Sequence, residues 1–128
     1  MAHTRRTFTE LRRAFDGRVG LVRHDMGISG FGVQLFDFRP SDDGPPRHDE
    51  ASTGQEELSV GLAGSGWIEV DGEEIAFGPE TLVAISPGTM RKIRVGATGL
   101  RYLCIGGVPK TAYEPSEKFD RADASADG

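Results

Sequence analysis

The sequence has a single cysteine, Cys104, so no internal disulfide can form. It has no apolar run near the ~20 residues that a membrane-spanning helix needs. It has no basic excess: 15 Lys and Arg stand against 20 Asp and Glu, a net charge of −5. Phosphate backbones need a basic face, so nucleic acid is not an expected partner. No polybasic patch suits an anionic membrane either. Arg5, Arg6, Arg12 and Arg13 lie near the N-terminus, but no apolar core follows them as in a secretory signal. These absences predict a cytoplasmic protein. No internal repeat is evident. No Gly-rich phosphate loop, nucleophile elbow or paired-cysteine zinc spacing occurs. Catalytic residues are therefore unknown, and the sequence leaves open whether the protein is an enzyme.

With 128 residues, one domain can fold without disulfide or structural metal. Cys104 sits between Leu103 and Ile105. There it reads as a small buried hydrophobe, with no neighbouring histidine to activate its thiol.

What is abundant is punctuation: 18 glycines and 7 prolines, spread along the chain. Thr7 and Glu10 form a capping-box pattern, and Phe8, Leu11 and Phe15 follow at helical spacing. A short N-terminal helix ending at Asp16-Gly17 is expected. Strands are expected over 19–23, 31–38, 58–63, 67–70, 74–77, 81–85, 90–95 and 100–105. Asp71-Gly72 between two β runs is a hairpin signal, because both turn residues need positive φ. Short strands with turns at this spacing mean an all-β sandwich or barrel. The expected organisation is a tail and short helix over 1–18, a β domain over 19–115, and a small, polar, acidic C-terminal tail over 116–128.

The stretch from Arg47 to Arg91 draws the chemistry together. Glu56-Glu57, the run LSVGLAGSGWIEVDG and the Pro87-Gly88 turn resemble the two-motif core of the cupin superfamily over residues 30–107. TGQEE at 53–57 and GLRYLCIGGVP at 99–109, with YEP at 113–115, resemble small single-domain bacterial cupins. The resemblance implies a double-stranded β-helix, the jelly-roll barrel, usually a homodimer, with a small-molecule or metal site inside. The family motifs supply two histidines and a glutamate, then a third histidine. On this sequence those positions fall on His48, Glu50, Glu57 and Arg91, so one of three histidines is present.

Alternation places Arg91 on one face with Ile93 and Val95, pointing inward, with Lys92 and Arg94 on the other. For the Glu pair, two signals disagree. Patterning puts Glu56 inside with Leu58, Val60 and Leu62. The family register puts Glu57 inside with Ser59 and Gly61, whose small side chains would leave space for a ligand. His48, Glu50 and Glu57 could hold a divalent metal ion. Arg91, permanently charged, would oppose that ion, or would replace it as counter-charge to Glu57 or to a ligand anion. Against these roles, a lone loop histidine such as His48 is ordinarily solvated, and Glu50 and Glu56 are ordinary surface carboxylates. His24 reads as a surface loop residue, Tyr102 as core, and Trp67 as sheet packing. The expectation is a homodimeric cupin that binds a small molecule through His48, Glu57, Arg91 and Ser59, with a degenerate metal site. The alternative is a metal-dependent small-molecule enzyme using His48, Glu50 and Glu57. A third reading is a non-catalytic assembly partner.

Overall fold

The computed structural model describes residues 2–113; the expected tail over 116–128 lies outside them. In chain order, a 3-10 turn (Phe8–Glu10) precedes β1 (Arg13–Ala14), β2 (Val19–Gly20) and α1 (Val22–Met26). Then come β3 (Gly32–Phe38), β4 (Glu56–Val70), β5 (Glu73–Phe77), β6 (Leu82–Ile85) and β7 (Arg91–Gly107). The architecture is all-β, an antiparallel jelly roll.

The N-terminus departs from the sequence pattern. The capping box forms as expected, with Thr7 N donating to Glu10 Oε1 at 2.6 Å. The helix it opens lasts one 3-10 turn, because Arg13–Ala14 leaves to pair with Val19–Gly20. The strand expected through Arg23 stops at Gly20, and α1 takes over, carrying His24. Gly27, at φ 70°, closes that helix from the left-handed region.

The expected breaks at Gly64-Ser65 and Gly96–Gly99 are bends rather than ends. β4 and β7 each run unbroken and pair with one another along most of their length. Register shifts at Gly61/Ala63 and Gly64/Gly66 turn the strands. Gly64 and Gly99, at φ 76° and 81°, supply the positive φ there, and bulges of this kind sharpen local twist without ending the ladder. The first half of β4 lies between β6 and β7, and its second half between β5 and β7. Asp71 and Gly72, at φ 49° and 83°, make the expected hairpin.

Both halves face one core. Ile68, Phe77 and Ile93 from one half meet Phe38, Val83, Leu100 and Tyr102 from the other. Tyr102 stacks on Phe36 and meets Phe77 edge-on. These rings fill much of the barrel interior with the protein's own side chains, and the polar groups gather beside them around Glu57 and Arg91. A second, smaller cluster of Ala14, Val19 and Leu21 packs against Phe36 and extends the inner face beyond β3.

Candidate functional site

The polar end is built where three segments converge. The loop before β4 brings in His48 and Glu50, the start of β4 brings Glu57, and the start of β7 brings Arg91. Backbone bonds hold the loop: His48 and Arg91 exchange both hydrogen bonds at 3.0 and 2.8 Å, and Glu50 N donates to Pro87 O at 2.7 Å.

Arg91 is the most buried large side chain here, at 2% exposure. Its Nη1 donates to Glu57 Oε1 at 3.1 Å and its Nη2 to Ser86 O at 2.9 Å. Its Nε is buried with no partner among the described residues. Lys92, one position on, points the other way and donates to Asp43 O and Pro45 O beneath the outer loop. The alternation expected for Arg91 and Lys92 is therefore present.

Glu56 is exposed and Glu57 faces inward. Patterning misplaces this pair because Leu58 and Val60 lie on the outer face, where they are only partly covered. Burial raises the Glu57 pKa, Arg91 pulls it down, Glu50 pushes it up and His48 pulls it down again, leaving it above the ordinary glutamate value. Cys104 lies beside Glu57 and Ser59, and burial, then Glu57, push its thiol well above the ordinary range. Cys104 is thus an inert neighbour of the site. Ser59 is buried opposite Cys104 in the ladder. The space expected above Gly61 is already taken: a Cβ there would stand 1.8 Å from Gly78 O.

His48 Nδ1 lies 2.7 Å from Pro46 O, an acceptor only, so that nitrogen carries the proton. His48 Nε2 lies 3.3 Å from Glu50 Oε2, also an acceptor, so a proton or a cation has to stand between the two. Thr53 Oγ1 steadies the other Glu50 oxygen at 2.8 Å. One ligand atom each from His48, Glu50 and Glu57 lies within 4.8 Å of the others, a spacing that could hold a metal ion. A backbone carbonyl on the far ring nitrogen is the usual support of a metal-binding histidine. The donor set fits a divalent ion, with Arg91 as its electrostatic opponent.

Two features escaped sequence reasoning. Gly32, Gly106 and Glu57 share one cross-strand row, and the Tyr113 ring lies over Gly32, its hydroxyl 2.5 Å from where a Cβ would be. Only a YEP pattern pointed to Tyr113. The other is a groove of about 680 Å³ running from Glu57 and Ser86 past Lys110 to Leu58, Ile105 and Phe31. His24, expected on the surface, instead meets Arg12 and Asp25, remote in sequence from these residues. Trp67 is 43% exposed on the outer face, beside a separate hollow with Asp43 and Glu74. No helix among the described residues is long and apolar enough to cross a membrane.

No protein-family model matches the sequence, and no curated protein matches it. Solved structures do. A cupin protein from Bacteroides fragilis superposes with a TM-score of 0.70 at 20% identity, over 95% of this chain and 97% of that one. A cupin-superfamily sugar phosphate isomerase from Silicibacter pomeroyi gives 0.60 at 20% identity, over 69% and 57%. A predicted oxalate decarboxylase from Thermotoga maritima gives 0.53 at 18% identity, over 60% and 66%. Identities this low carry fold and not chemistry.

Proposed function

We propose that this chain, which has the cupin fold, binds a small molecule at the polar mouth of its barrel with little or no metal-dependent catalysis. The observation that carries this reading is Arg91, 2% exposed and bonded to Glu57 where the family resemblance places a metal histidine. A guanidinium beside Glu57 already neutralises the carboxylate that a cation would use, and its fixed charge repels that cation. The groove beside Glu57 offers polar groups at Ser86 and Lys110 and an apolar wall at Leu58, Ile105 and Phe31. That combination suits a small amphiphilic ligand with its polar end at the mouth. Titration calorimetry of chelator-stripped protein tests it. Wild type should show no divalent-ion binding at micromolar affinity, and Arg91→His should show it.

A second reading is favoured by the His48 tautomer. With Nδ1 committed to Pro46 O, Nε2 is the nitrogen that would ligate beside Glu50 and Glu57, giving up its direct contact with Glu50 Oε2. A divalent ion held there would supply Lewis acidity. The protein's own part would be to orient His48 through Pro46, steady Glu50 through Thr53, and keep Glu57 charged through Arg91. Elemental analysis of protein purified without an affinity tag separates the readings: one equivalent of a divalent metal per chain establishes the second.

A further inference from the structure

The second half of β4 carries the chain's single tryptophan. Ile68 is buried at 0%, so alternation along the strand turns Trp67 and Glu69 to the outer face. Trp67 sits between Ala76 of β5 and Arg94 of β7, and Glu74 stands one row on, opposite Glu69. A hollow of about 340 Å³ opens over Trp67, Arg94, Val95 and Glu74, and the loop residues Asp42 and Asp43 complete its lining. That loop is pinned. Asp42 accepts two hydrogen bonds from Arg18, at 2.7 and 2.8 Å, and Lys92, 8% exposed, donates to Asp43 O and Pro45 O. Gly44 lies so close to the sheet that a Cβ there would stand 2.9 Å from Ile93 O. The hollow shares no lining residue with the groove at Glu57.

Beside the hollow, Glu69 is held by Arg47 and Arg94. The groups that line it keep bonding capacity. Glu74 has no hydrogen bond or ion pair among the described residues. The Asp43 carboxylate, 96% exposed, meets only Lys92, at 3.6 Å. Arg94 gives one N–H to Glu69 at 3.5 Å and has others to offer. Among the described residues no ring or cation stacks on Trp67, which is 43% exposed. We propose that this hollow binds a saccharide, with one sugar ring stacked on Trp67. The mixture of groups selects that class. A cation would face Arg94, and an anion would face Asp43 and Glu74. A wholly apolar ligand would strand all three charges out of water. A pyranose meets each condition. Its C–H face lies flat on the negative face of an indole. Its hydroxyls donate to carboxylates and accept from a guanidinium, and it carries no charge itself. The volume falls in the ~300–1,000 Å³ range of small-molecule sites. This site lies apart from the barrel mouth and does not depend on what the barrel takes.

Because the chain has one tryptophan, its tryptophan emission reports on this site alone. Glucose, galactose, maltose and cellobiose are the probes. At least one should shift the emission to the blue and saturate, with a dissociation constant on the order of a millimolar, as for a shallow site. Saturation-transfer NMR with the same sugar then compares the variants. Trp67→Ala should weaken binding at least ~10-fold through the lost stacking. Glu74→Gln keeps the shape and removes the charge, and should weaken binding about 5-fold. Glu74 is exposed, so this variant carries the test should Trp67→Ala fail to fold. No saturable shift from any of the four sugars up to ~100 mM, about 100-fold above the expected constant, overturns the proposal. Sugar binding that both variants leave intact overturns it as well. A saturable shift with tetramethylammonium and with none of the sugars marks a cation site and also overturns it.

Discussion

Arg91 Nη1 and Glu57 Oε1 meet at 3.1 Å, joining residues 34 apart in sequence. Arg91 is 2% exposed, while the Glu57 side chain keeps 22% of its surface open. The pair is therefore asymmetric: the cation is locked in and the anion reaches the groove. A ligand or ion entering the mouth meets the carboxylate, with the guanidinium held behind it.

Replacing Arg91 with His should destabilise the protein by about 3 kcal/mol, the low end for breaking a buried pair. The low end applies because Glu57, already raised in pKa, can take up a proton. For a domain of this size that is roughly a 10 °C drop in melting temperature. Zinc or nickel should restore part of it by binding the folded state alone. Differential scanning calorimetry with and without metal reads both; an unchanged melting temperature would mean that the pair is not formed in solution.

Glu57 should titrate above the ordinary value of 4.5, because burial outweighs Arg91. The folded protein then binds this proton more tightly than the unfolded chain does. Its contribution to stability is full below pH 4.5 and is lost as pH rises through the folded pKa. Carbon-13 carboxyl shifts give the midpoint, and Glu57→Gln should flatten that part of the stability–pH curve.

His48→Ala should leave the melting temperature within about 2 °C, since a partly exposed side chain with one hydrogen bond contributes little. In the Arg91→His background it should abolish the gained metal binding. Calorimetric titration of the two variants side by side checks this; retained affinity would place the ion elsewhere.

Gly61→Ala should cost at least ~3 kcal/mol, because its Cβ would meet the Gly78 carbonyl oxygen at 1.8 Å, and backbone cannot step aside as a side chain can. Gly88→Ala, with nothing within 4 Å, should stay within ~0.5 kcal/mol of wild type. Urea midpoints of both variants make the comparison.

The sequence was most legible where one residue type meets one backbone demand. Asp71-Gly72 could be placed because few residue pairs take two positive φ angles. Arg91 could be placed because Ile93 and Val95 share its face. Alternation failed at Glu56-Glu57 because it assumes that large apolar residues point inward, and here Leu58 and Val60 point out. α1 was invisible because five residues carry too little periodicity to separate helix from strand. The metal-type geometry of His48 and Glu50 depends on Pro46 O, Pro87 O and Thr53, and backbone acceptors leave no trace in residue identity.

The two-way backbone clamp between His48 and Arg91, with Glu50 tied to Pro87, anchors the loop before it departs and leaves 51–55 free of ladder bonds. The loop therefore behaves as a cassette plugged in at both ends. Residues inserted after Thr53 lengthen a closed surface excursion at a cost of only ~0.6 kcal/mol per doubling and leave the Thr53–Glu50 bond in place. The same segment is where a new specificity loop can be grafted while the barrel mouth keeps its geometry.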